Sequence, residues 1–391
     1  VSDTAPAGTT YVAGSTEISA PSQPVRATEY YIGGGDGFSG TSYDLVLDRD
    51  LVSDYFVIIQ GSGTLPDTGP DENYVRLTQD PFGTGDLGVS TANDVIRLER
   101  NTANSTWIGV VTVVESVTDQ ATEGFSLLDV QAVAHTGTAT AGTDTSGTAW
   151  SDVNDVVLFG GFNGAGCTTA EPDAPDIGNC QTRLYPTGTD TINWTRDAAN
   201  VKNALTDATS TVMVVEWGSS WTVQHVYVTG SAGGDKVDEL DEYNTAVISS
   251  VTRAHTWVWG TGTTQGTDQL KRNPEGIVIT LGNGVTQNTT ESTVAVGSYN
   301  GIQRDFDVYV MTHPDLAVDY RFKPDGDKDF ASVDVTVDTA DPNRMAVAYT
   351  GNNAGNDNTP AHLFSARYTN ASTVRLEQQR TEEDWAAWVQ G

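Results

Sequence analysis

The feature that most constrains the fold is a repeated apolar strand that stops at a glycine. Four such runs end at Gly61, Gly160, Gly260 and Gly351, at intervals of 99, 100 and 91 residues. A near-constant interval with matching strand chemistry indicates duplicated modules, each much longer than one unit of a solenoid. Each unit is long enough to bury a core of its own.

A second repeated feature follows each glycine-terminated run. It is a pair of segments in which apolar and polar residues alternate. In the first unit these are residues 95–98 and 107–114, separated by a polar Asn/Thr/Ser segment. Alternation with period 2 predicts strands, and the polar segment predicts a turn that joins them as a hairpin. The pattern recurs in residues 191–218, 292–311 and 372–391.

The fold class follows from these patterns and from the abundance of turn-forming residues. The chain has 40 glycines and many Thr and Val residues, and turn signals recur about every 8–12 residues, as in sandwiches and barrels. We expect an all-β chain of tandem β-sandwich or barrel-like modules of about 100 residues each. Short helices compete only at 197–207 and 381–389, where the repeat favours turn and strand.

The module boundaries follow from the same repeat. We expect an extended N-terminal arm at residues 1–27, whole modules at 28–148, 149–234 and 235–341, and a partial module at 342–391. In the first module the predicted strands are residues 43–47, 55–59, 74–77, 95–98, 107–114 and 125–133. The fourth module lacks a strand after its hairpin, so we expect it to borrow one, pair with another module or end a sheet.

The excess of acidic residues indicates the kind of environment in which the protein works. Asp and Glu number 52 against 20 Lys and Arg, for a net charge of -32. Such a surface stays hydrated in strong salt, where the Debye length falls to about 3 Å at 1 M, and it repels itself at low ionic strength. The composition favours a halophilic origin, with an ordinary acidic extracellular protein as the alternative. It excludes nucleic acid binding through the phosphate backbone.

The two cysteines also point to an extracellular setting. Cys167 and Cys180 flank a Pro/Asp/Gly-rich excursion, and two cysteines that close one local loop indicate a disulfide, with two free buried thiols as the alternative. No apolar run of about 18 residues and no cationic leader is present, so we expect neither a membrane span nor a retained signal peptide.

Candidate metal and catalytic motifs are sparse. Asp325, Asp327 and Asp329 alternate around a glycine and could offer oxygen ligands to calcium, although a solvated acidic turn is the simpler interpretation. Residues 33–40 are glycine-rich without the lysine of a phosphate loop or the spacing of a nucleophile elbow. The histidines show no paired ligand spacing, at His135, His225, His255, His313 and His362. We therefore expect no enzyme and no resident cofactor.

Two further features bear on binding. The nine tryptophans could line a carbohydrate-binding face. Their equivalent places in successive repeats favour core or interface positions. Each module also carries one glycosylation sequon, at Asn104, Asn193, Asn288 and Asn370.

Two stretches carry a resemblance to a known group of proteins. Residues 74–130, together with the preceding FVIIQGSG, and the closing VRLEQQRTEEDWAAWVQG resemble repeat proteins encoded among the virion structural genes of tailed viruses. With the acidic, lysine-poor composition, the similarity is to tailed viruses of haloarchaea. The resemblance covers the first module and the C-terminus, and modules two and three loosely.

The resemblance implies a non-enzymatic virion component on a capsid, turret or tail. Such a protein would form a symmetric homo-oligomer in an extracellular particle, with other virion proteins as partners and without nucleic acid or membrane insertion. The alternatives are a receptor- or glycan-binding spike, a cellular surface-layer or adhesion protein of a halophile, and an enzyme with convergent carboxylates.

Overall fold

A computed structural model describes most of the chain, and nearly all of what it describes is β-structure. The described residues are 24–33, 37–63, 75–101, 103, 105–137, 139–160, 182–196, 205–230, 243–265, 277–284, 288–298, 303–323, 332–337, 347–353, 364–378 and 384–390. Besides strands, these residues form two short 3₁₀ turns, Val153–Asp155 and Arg253–His255.

Within the described residues, 25 strands form eight small sheets, two in each of four modules. The first module contains β1 (Val25–Ile32), β2 (Ser42–Val46), β3 (Tyr55–Gly63), β4 (Arg76–Asp80), β5 (Gly88–Val89), β6 (Val95–Glu99) and β7 (Trp107–Ser116). The second contains β8 (Phe125–Gly137), β9 (Ala141–Thr145), β10 (Val156–Phe159), β11 (Arg183–Thr187), β12 (Thr191–Thr195) and β13 (Leu205–Trp217).

The other two modules have the same number of principal strands. The third contains β14 (Thr222–Gly230), β15 (Tyr243–Thr252), β16 (Thr256–Gln265), β17 (Ile277–Leu281), β18 (Thr290–Ser298) and β19 (Gln303–Thr312). The fourth contains β20 (Tyr320–Lys323), β21 (Ser332–Thr336), β22 (Val347–Asn353), β23 (Phe364–Asn370), β24 (Thr373–Gln378) and β25 (Asp384–Gln390).

All four modules share one strand order, which confirms the predicted all-β, sandwich-like fold. The inner sheet of each module places its last strand between its first and third, and the outer sheet places its last strand but one between its second and fourth. The inner sheets are β1-β7-β3, β8-β13-β10, β14-β19-β16 and β20-β25-β22. The outer sheets are β2-β6-β4-β5, β9-β12-β11, β15-β18-β17 and β21-β24-β23. Among the strands that the structure describes, the first outer sheet has an added one, β5, which runs parallel to β4.

The predicted hairpin is wrong, although both of its strands exist. β6 lies at the centre of the outer sheet and β7 at the centre of the inner sheet, so the polar segment between them crosses from one sheet to the other. β12 and β13, β18 and β19, and β24 and β25 are arranged in the same way. The two alternating segments that recur in the sequence are therefore the central strands of the outer and inner sheets.

Strand pairing also changes the module to which one strand of each repeat belongs. The strand that the sequence pattern placed at the end of a module pairs with a strand of the next module. Phe125–Gly137 pairs with β13, so it is the first strand of the second module. By the same pairing, β14 opens the third module and β20 opens the fourth. The fourth module thus has all six strands, and the strand that appeared to be missing belongs to the start of the repeat.

The inner sheets are apolar on both faces because each face packs against a different core. In β13, Val212 and Val214 pack within the sandwich of their own module, in one cluster with Leu184 of the outer sheet. Met213 and Val215 point to the opposite face and join a larger cluster that contains residues of the first three modules. This explains why β10 and β13 contain continuous apolar runs rather than an alternating pattern.

The larger cluster is a central core built around aromatic rings from the third strands of three modules. Phe56 stacks on Phe159 with ring centroids 3.9 Å apart and planes inclined by 8°. Trp257 stacks on Phe159 at 5.8 Å. Aromatic pairs add about 0.5–1.5 kcal/mol each beyond the area they bury. The central core therefore ties the first three modules into one packed unit.

The modules are joined head to tail, and the chain closes on itself. β4 packs on β13, β11 on β16 and β19, β17 on β22 and β25, and β23 on β3 and β7. In every case the fourth strand of one module meets the inner sheet of the next, and the fourth module meets the first. We call each such contact a seam. A heterologous contact of this kind generates a ring when the rotation closes.

Candidate functional site

The site residues predicted from sequence fall largely outside the part of the chain that the structure describes. This holds for the proposed calcium ligands Asp325, Asp327 and Asp329 and for the proposed disulfide between Cys167 and Cys180. Both predictions therefore stay predictions. His362 and the sequon Asn104 also lie outside the described residues.

One cluster of potential metal ligands lies within the described residues. Glu123, from the segment between the first two modules, meets His313 and Asp315, which follow the last strand of the third module. One ligand atom from each residue lies within 4.8 Å of the others. The imidazole of His313 is fully buried and packs against the ring of Trp221 at 4.7 Å between centroids.

The hydrogen bonds of His313 do not suit a metal ligand. Its Nδ1 accepts a hydrogen bond from the backbone N–H of Asp315 at 3.2 Å, so this nitrogen carries no proton in the neutral ring. Its Nε2 lies 3.2 Å from Glu123 Oε2 and supplies the proton of that contact. A metal on Nε2 would require a proton on Nδ1, where a donor already points. The cluster is better described as a structural contact between modules.

A larger polar cluster lies in the seam between the second and third modules. Arg183 of β11 forms an ion pair with Asp307 of β19, whose side chain is only 3% exposed. The guanidinium also lies over the rings of Tyr185 and Tyr227, 4.2 Å from each centroid. His225 stacks on the ring of Tyr309 at 4.8 Å.

The tyrosines around this ion pair are held in the neutral form. Complete burial, followed by the charge of Asp307, raises the pKa of the Tyr309 phenol well above its usual value. The Tyr309 hydroxyl donates to the carbonyl of Leu184 across the seam at 3.3 Å. Partial burial, followed by a hydrogen bond to Asp305, also raises the pKa of Tyr227. Neither tyrosine is suited to act as a base near neutral pH.

An arginine that packs on a tyrosine ring is also found in the seam between the fourth and first modules. Arg367 of β23 lies over the ring of Tyr31 of β1 at 4.1 Å and donates to Glu377 at 3.2 Å. The backbone N–H of Tyr368 donates to Glu29 at 2.8 Å. The two seams therefore use the same elements, a fourth-strand arginine and a first-strand tyrosine of the next module.

Side chains also bond to strand backbones in two seams, the one between the third and fourth modules and the one between the second and third. The buried amide of Gln390 bonds both the N–H and the C=O of Val258, at 3.0 and 3.2 Å. The hydroxyl of Thr261 bonds both the N–H and the C=O of Leu184, at 2.9 and 3.1 Å. These contacts satisfy backbone groups that would otherwise be buried without partners.

The tryptophans support the packing interpretation over a carbohydrate-binding face. Of the seven tryptophans whose side chains the structure describes, six are buried, at Trp107, Trp150, Trp194, Trp217, Trp221 and Trp257. Trp259 is partly buried and donates from Nε1 to the carbonyl of Leu158 in the neighbouring module at 3.1 Å. Among the sequons, Asn193 uses its amide to donate to Thr187 at 2.7 Å, whereas Asn370 is exposed.

Sequence reasoning missed Arg183 and Asp307 because they are 124 residues apart and lie in different modules. The available signal was Asp307 itself, a charged residue inside the apolar run of β19. Within the described residues, no helix is long and apolar enough to cross a membrane. Comparison with protein-family models and with curated proteins finds no match for this chain.

Proposed function

We propose that this protein is a non-enzymatic structural component of an extracellular assembly that works in strong salt. The specific form that we favour is a subunit of the virion of a tailed virus of haloarchaea, present as a homo-oligomer on the capsid or tail. The origin and the particle rest on the resemblance in residues 74–130 and 374–391 and on the net charge of -32.

The observation that carries the structural role is the use made of buried polar groups. Asp307, His313 and Gln390 are all buried, and each one links two different modules. Catalytic sites instead gather titratable groups where a substrate can reach them. Other buried charged groups, such as Glu115 with Arg26 and Arg49, pair within one module. A chain that also joins its modules through buried polar groups is suited to bearing load.

A receptor- or glycan-binding spike is the second candidate. Such a protein would present aromatic side chains together on loop tips. Among the described residues, Phe82 and Tyr227 are the exposed large aromatics, and they lie in different modules. This arrangement favours the structural role. A surface-layer or adhesion protein shares the tandem modules, and it would form a sheet rather than a closed oligomer.

The test is the mass of the purified protein in solution, measured by light scattering at about 1 M salt and above and again after dilution to low salt. We expect a homo-oligomer of defined mass in strong salt that dissociates on dilution, because the net charge is then unscreened. A monomer at both salt concentrations would contradict the proposed assembly. Negative-stain microscopy of the oligomer would separate a closed particle from an extended sheet.

A further inference from the structure

The glycosylation sequons occupy different places in the folded modules. Asn193 lies in β12, the central strand of the second outer sheet, whereas Asn370 is the last residue of β23, where the chain turns into β24. Asn288 lies just before β18, and Asn104 is outside the described residues. An enzyme that modifies a folded chain can reach a surface turn, but it can reach a paired central strand only if the sheet opens.

Asn370 and the two residues after it form an exposed Asx turn. Asn370, Ala371 and Ser372 are all exposed. Asn370 Oδ1 accepts from the backbone N–H of Ser372 at 3.0 Å and from the Ser372 hydroxyl at 3.4 Å. The turn thereby brings together the side-chain amide and the hydroxyl that a sequon requires. Within the described residues, both hydrogen bonds of the Asn370 side chain are made by Oδ1, so substitution at Nδ2 breaks neither of them.

The strands on either side hold this turn in place. Tyr368 pairs with Val374, and after a shift in register Asn370 pairs with Thr373. The contacts that β23 makes across the seam with the first module come from Arg367 and Tyr368, which precede the turn. A bulky group on Asn370 therefore requires no change in the strand pairing or in these seam contacts.

The amide of Asn193 is committed to the fold. Its Nδ2 donates to Thr187 Oγ1 at 2.7 Å and to the carbonyl of Tyr185 at 3.3 Å. The backbone of Asn193 pairs with a strand on each side, and the next residue, Trp194, is buried. This sequon can enter an enzyme only if β12 leaves its sheet.

Asn288 is an intermediate case. The residue is exposed, but its Nδ2 lies 3.5 Å from Glu291 Oε2 and its backbone N–H donates to Glu291 Oε1 at 2.8 Å. The hydroxyl residue of this sequon, Thr290, is already part of β18 and pairs with Thr252 of β15. Asn370 is therefore the sequon whose whole length lies in an exposed turn with its amide nitrogen uncommitted.

We propose that Asn370 is a site of N-linked glycosylation. The donor is an oligosaccharide whose anomeric carbon is joined to a polyisoprenoid phosphate, and a host transferase supplies the base. Asn370 Nδ2 forms a bond to the anomeric carbon and loses one proton, while the bond from that carbon to the phosphate oxygen breaks and the lipid phosphate leaves with the electron pair. This inference rests on the extracellular setting of the proposed function, and it names the residue that is modified there.

Incubation of the folded chain with an oligosaccharyltransferase and a lipid-linked oligosaccharide tests the site directly. Peptides of residues 366–376 and 189–199 are the controls, because they contain the same sequons without the fold. By mass spectrometry of proteolytic fragments, we expect Asn370 of the folded chain to react within about tenfold of the rate of its peptide, and Asn193 at least about a hundredfold more slowly than its peptide, since β12 must first open. An unmodified Asn370 beside a modified peptide would overturn the proposal, as would equal relative rates at the two residues.

Two substitutions of Ser372 test the modification during export. Ser372→Thr keeps the hydroxyl of the sequon, whereas Ser372→Ala removes it and leaves Asn370 in place. Each chain is exported from a host that glycosylates proteins, with a flexible C-terminal tail that carries a sequon of its own as a reporter. We expect the wild-type chain and Ser372→Thr to carry glycan at Asn370 and on the tail, and Ser372→Ala to carry it on the tail alone. A wild-type chain modified only on the tail overturns this inference, whereas the proposed assembly is judged separately by its mass in solution.

Discussion

At the scale of single residues, glycine makes room for large side chains where two strands meet. Gly61 of β3 lies directly opposite Gly109 of β7. A Cβ atom on Gly109 would lie 2.3 Å from the ring of Trp107 and 2.3 Å from the carbonyl oxygen of Gln60. A Cβ atom on Gly61 would lie 2.5 Å from the same ring and 2.4 Å from the carbonyl oxygen of Ile108. In the first module, the glycine that marks the repeat is therefore required by the packing of a tryptophan and not by a turn.

Gly109→Ala should destabilise the protein by about 1–3 kcal/mol, because the added methyl group overpacks a filled site. Gly40→Ala is the matched control, since the nearest atom to its added Cβ lies 3.4 Å away. Chemical denaturation of both variants measures the difference. Equal stability of the two variants would contradict this account of the glycine.

Two carboxylates, Asp155 and Asp44, have pKa values that are shifted in opposite directions. Partial burial, followed by the charges of Asp152 and Glu216, raises the pKa of Asp155. A raised folded-state pKa means that the charged form opposes folding above that pKa, and that the effect vanishes below the unfolded value of about 3.9. Asp155→Asn should therefore raise the melting temperature at pH 7, with the gain disappearing as the pH approaches 3.

Asp44 supplies the comparison, because its hydrogen bonds to Arg97 lower its pKa. A lowered pKa stabilises the fold above the unfolded pKa, and this contribution is lost as the pH falls through the folded value. Asp44→Asn should lower the melting temperature at pH 7. Thermal unfolding of both variants across this pH range, at low salt to limit screening, would disprove the assignment if both shifts had the same sign.

At the scale of strands, the sequence was sufficient to place most elements and insufficient to pair them. Residues 95–98 and 107–114 were predicted as strands and are found as β6 and β7, because alternation and apolar runs are local properties. A polar segment such as 100–106 can close a hairpin or cross between sheets, and the choice depends on distant partners. The Arg183–Asp307 pair was beyond prediction for the same reason.

Arg183→Ala should cost about 3 kcal/mol, since it removes the guanidinium from the buried Asp307 and leaves only His225, whose Nε2 lies 2.5 Å from Asp307 Oδ1, beside that carboxylate. Arg183→Lys keeps the charge but loses the planar stacking between Tyr185 and Tyr227, and we expect an intermediate loss. A double-mutant cycle of Arg183→Ala with Asp307→Asn, followed by urea denaturation, measures the coupling across the seam. Strictly additive effects would show that the pair does not join the modules.

At the scale of the whole molecule, the central core makes the first three modules interdependent. Phe56, Phe159 and Trp257 stack together although each belongs to a different module. Modules without contacts to one another would unfold one at a time, whereas a shared core couples their unfolding. The sequence repeat of about 100 residues predicted the number of modules. The contacts between modules could not be predicted from it, because they join residues of different repeats.

Scanning calorimetry should show the first three modules unfolding in one transition, with calorimetric and van't Hoff enthalpies in agreement for that transition. Phe56→Ala should lower the midpoint of the whole transition, because the core truncation costs about 3–5 kcal/mol. The midpoint should also rise with salt, as screening relieves the repulsion of the net charge of -32. Three separate transitions would contradict the shared core.

The closed ring has a consequence for how the four modules could diverge. In a ring of four identical chains every contact must be the same, whereas one chain can encode four different contacts. The amide of Gln390 fits the backbone of Val258, and Arg183 fits between Tyr185 and Tyr227. Two of the seams share an arginine that packs on a tyrosine of the next module, and the other side-chain contacts differ from seam to seam. Exchanging the second and third modules within the chain would therefore separate the matched residues of three seams and keep only the contact between the fourth and first modules.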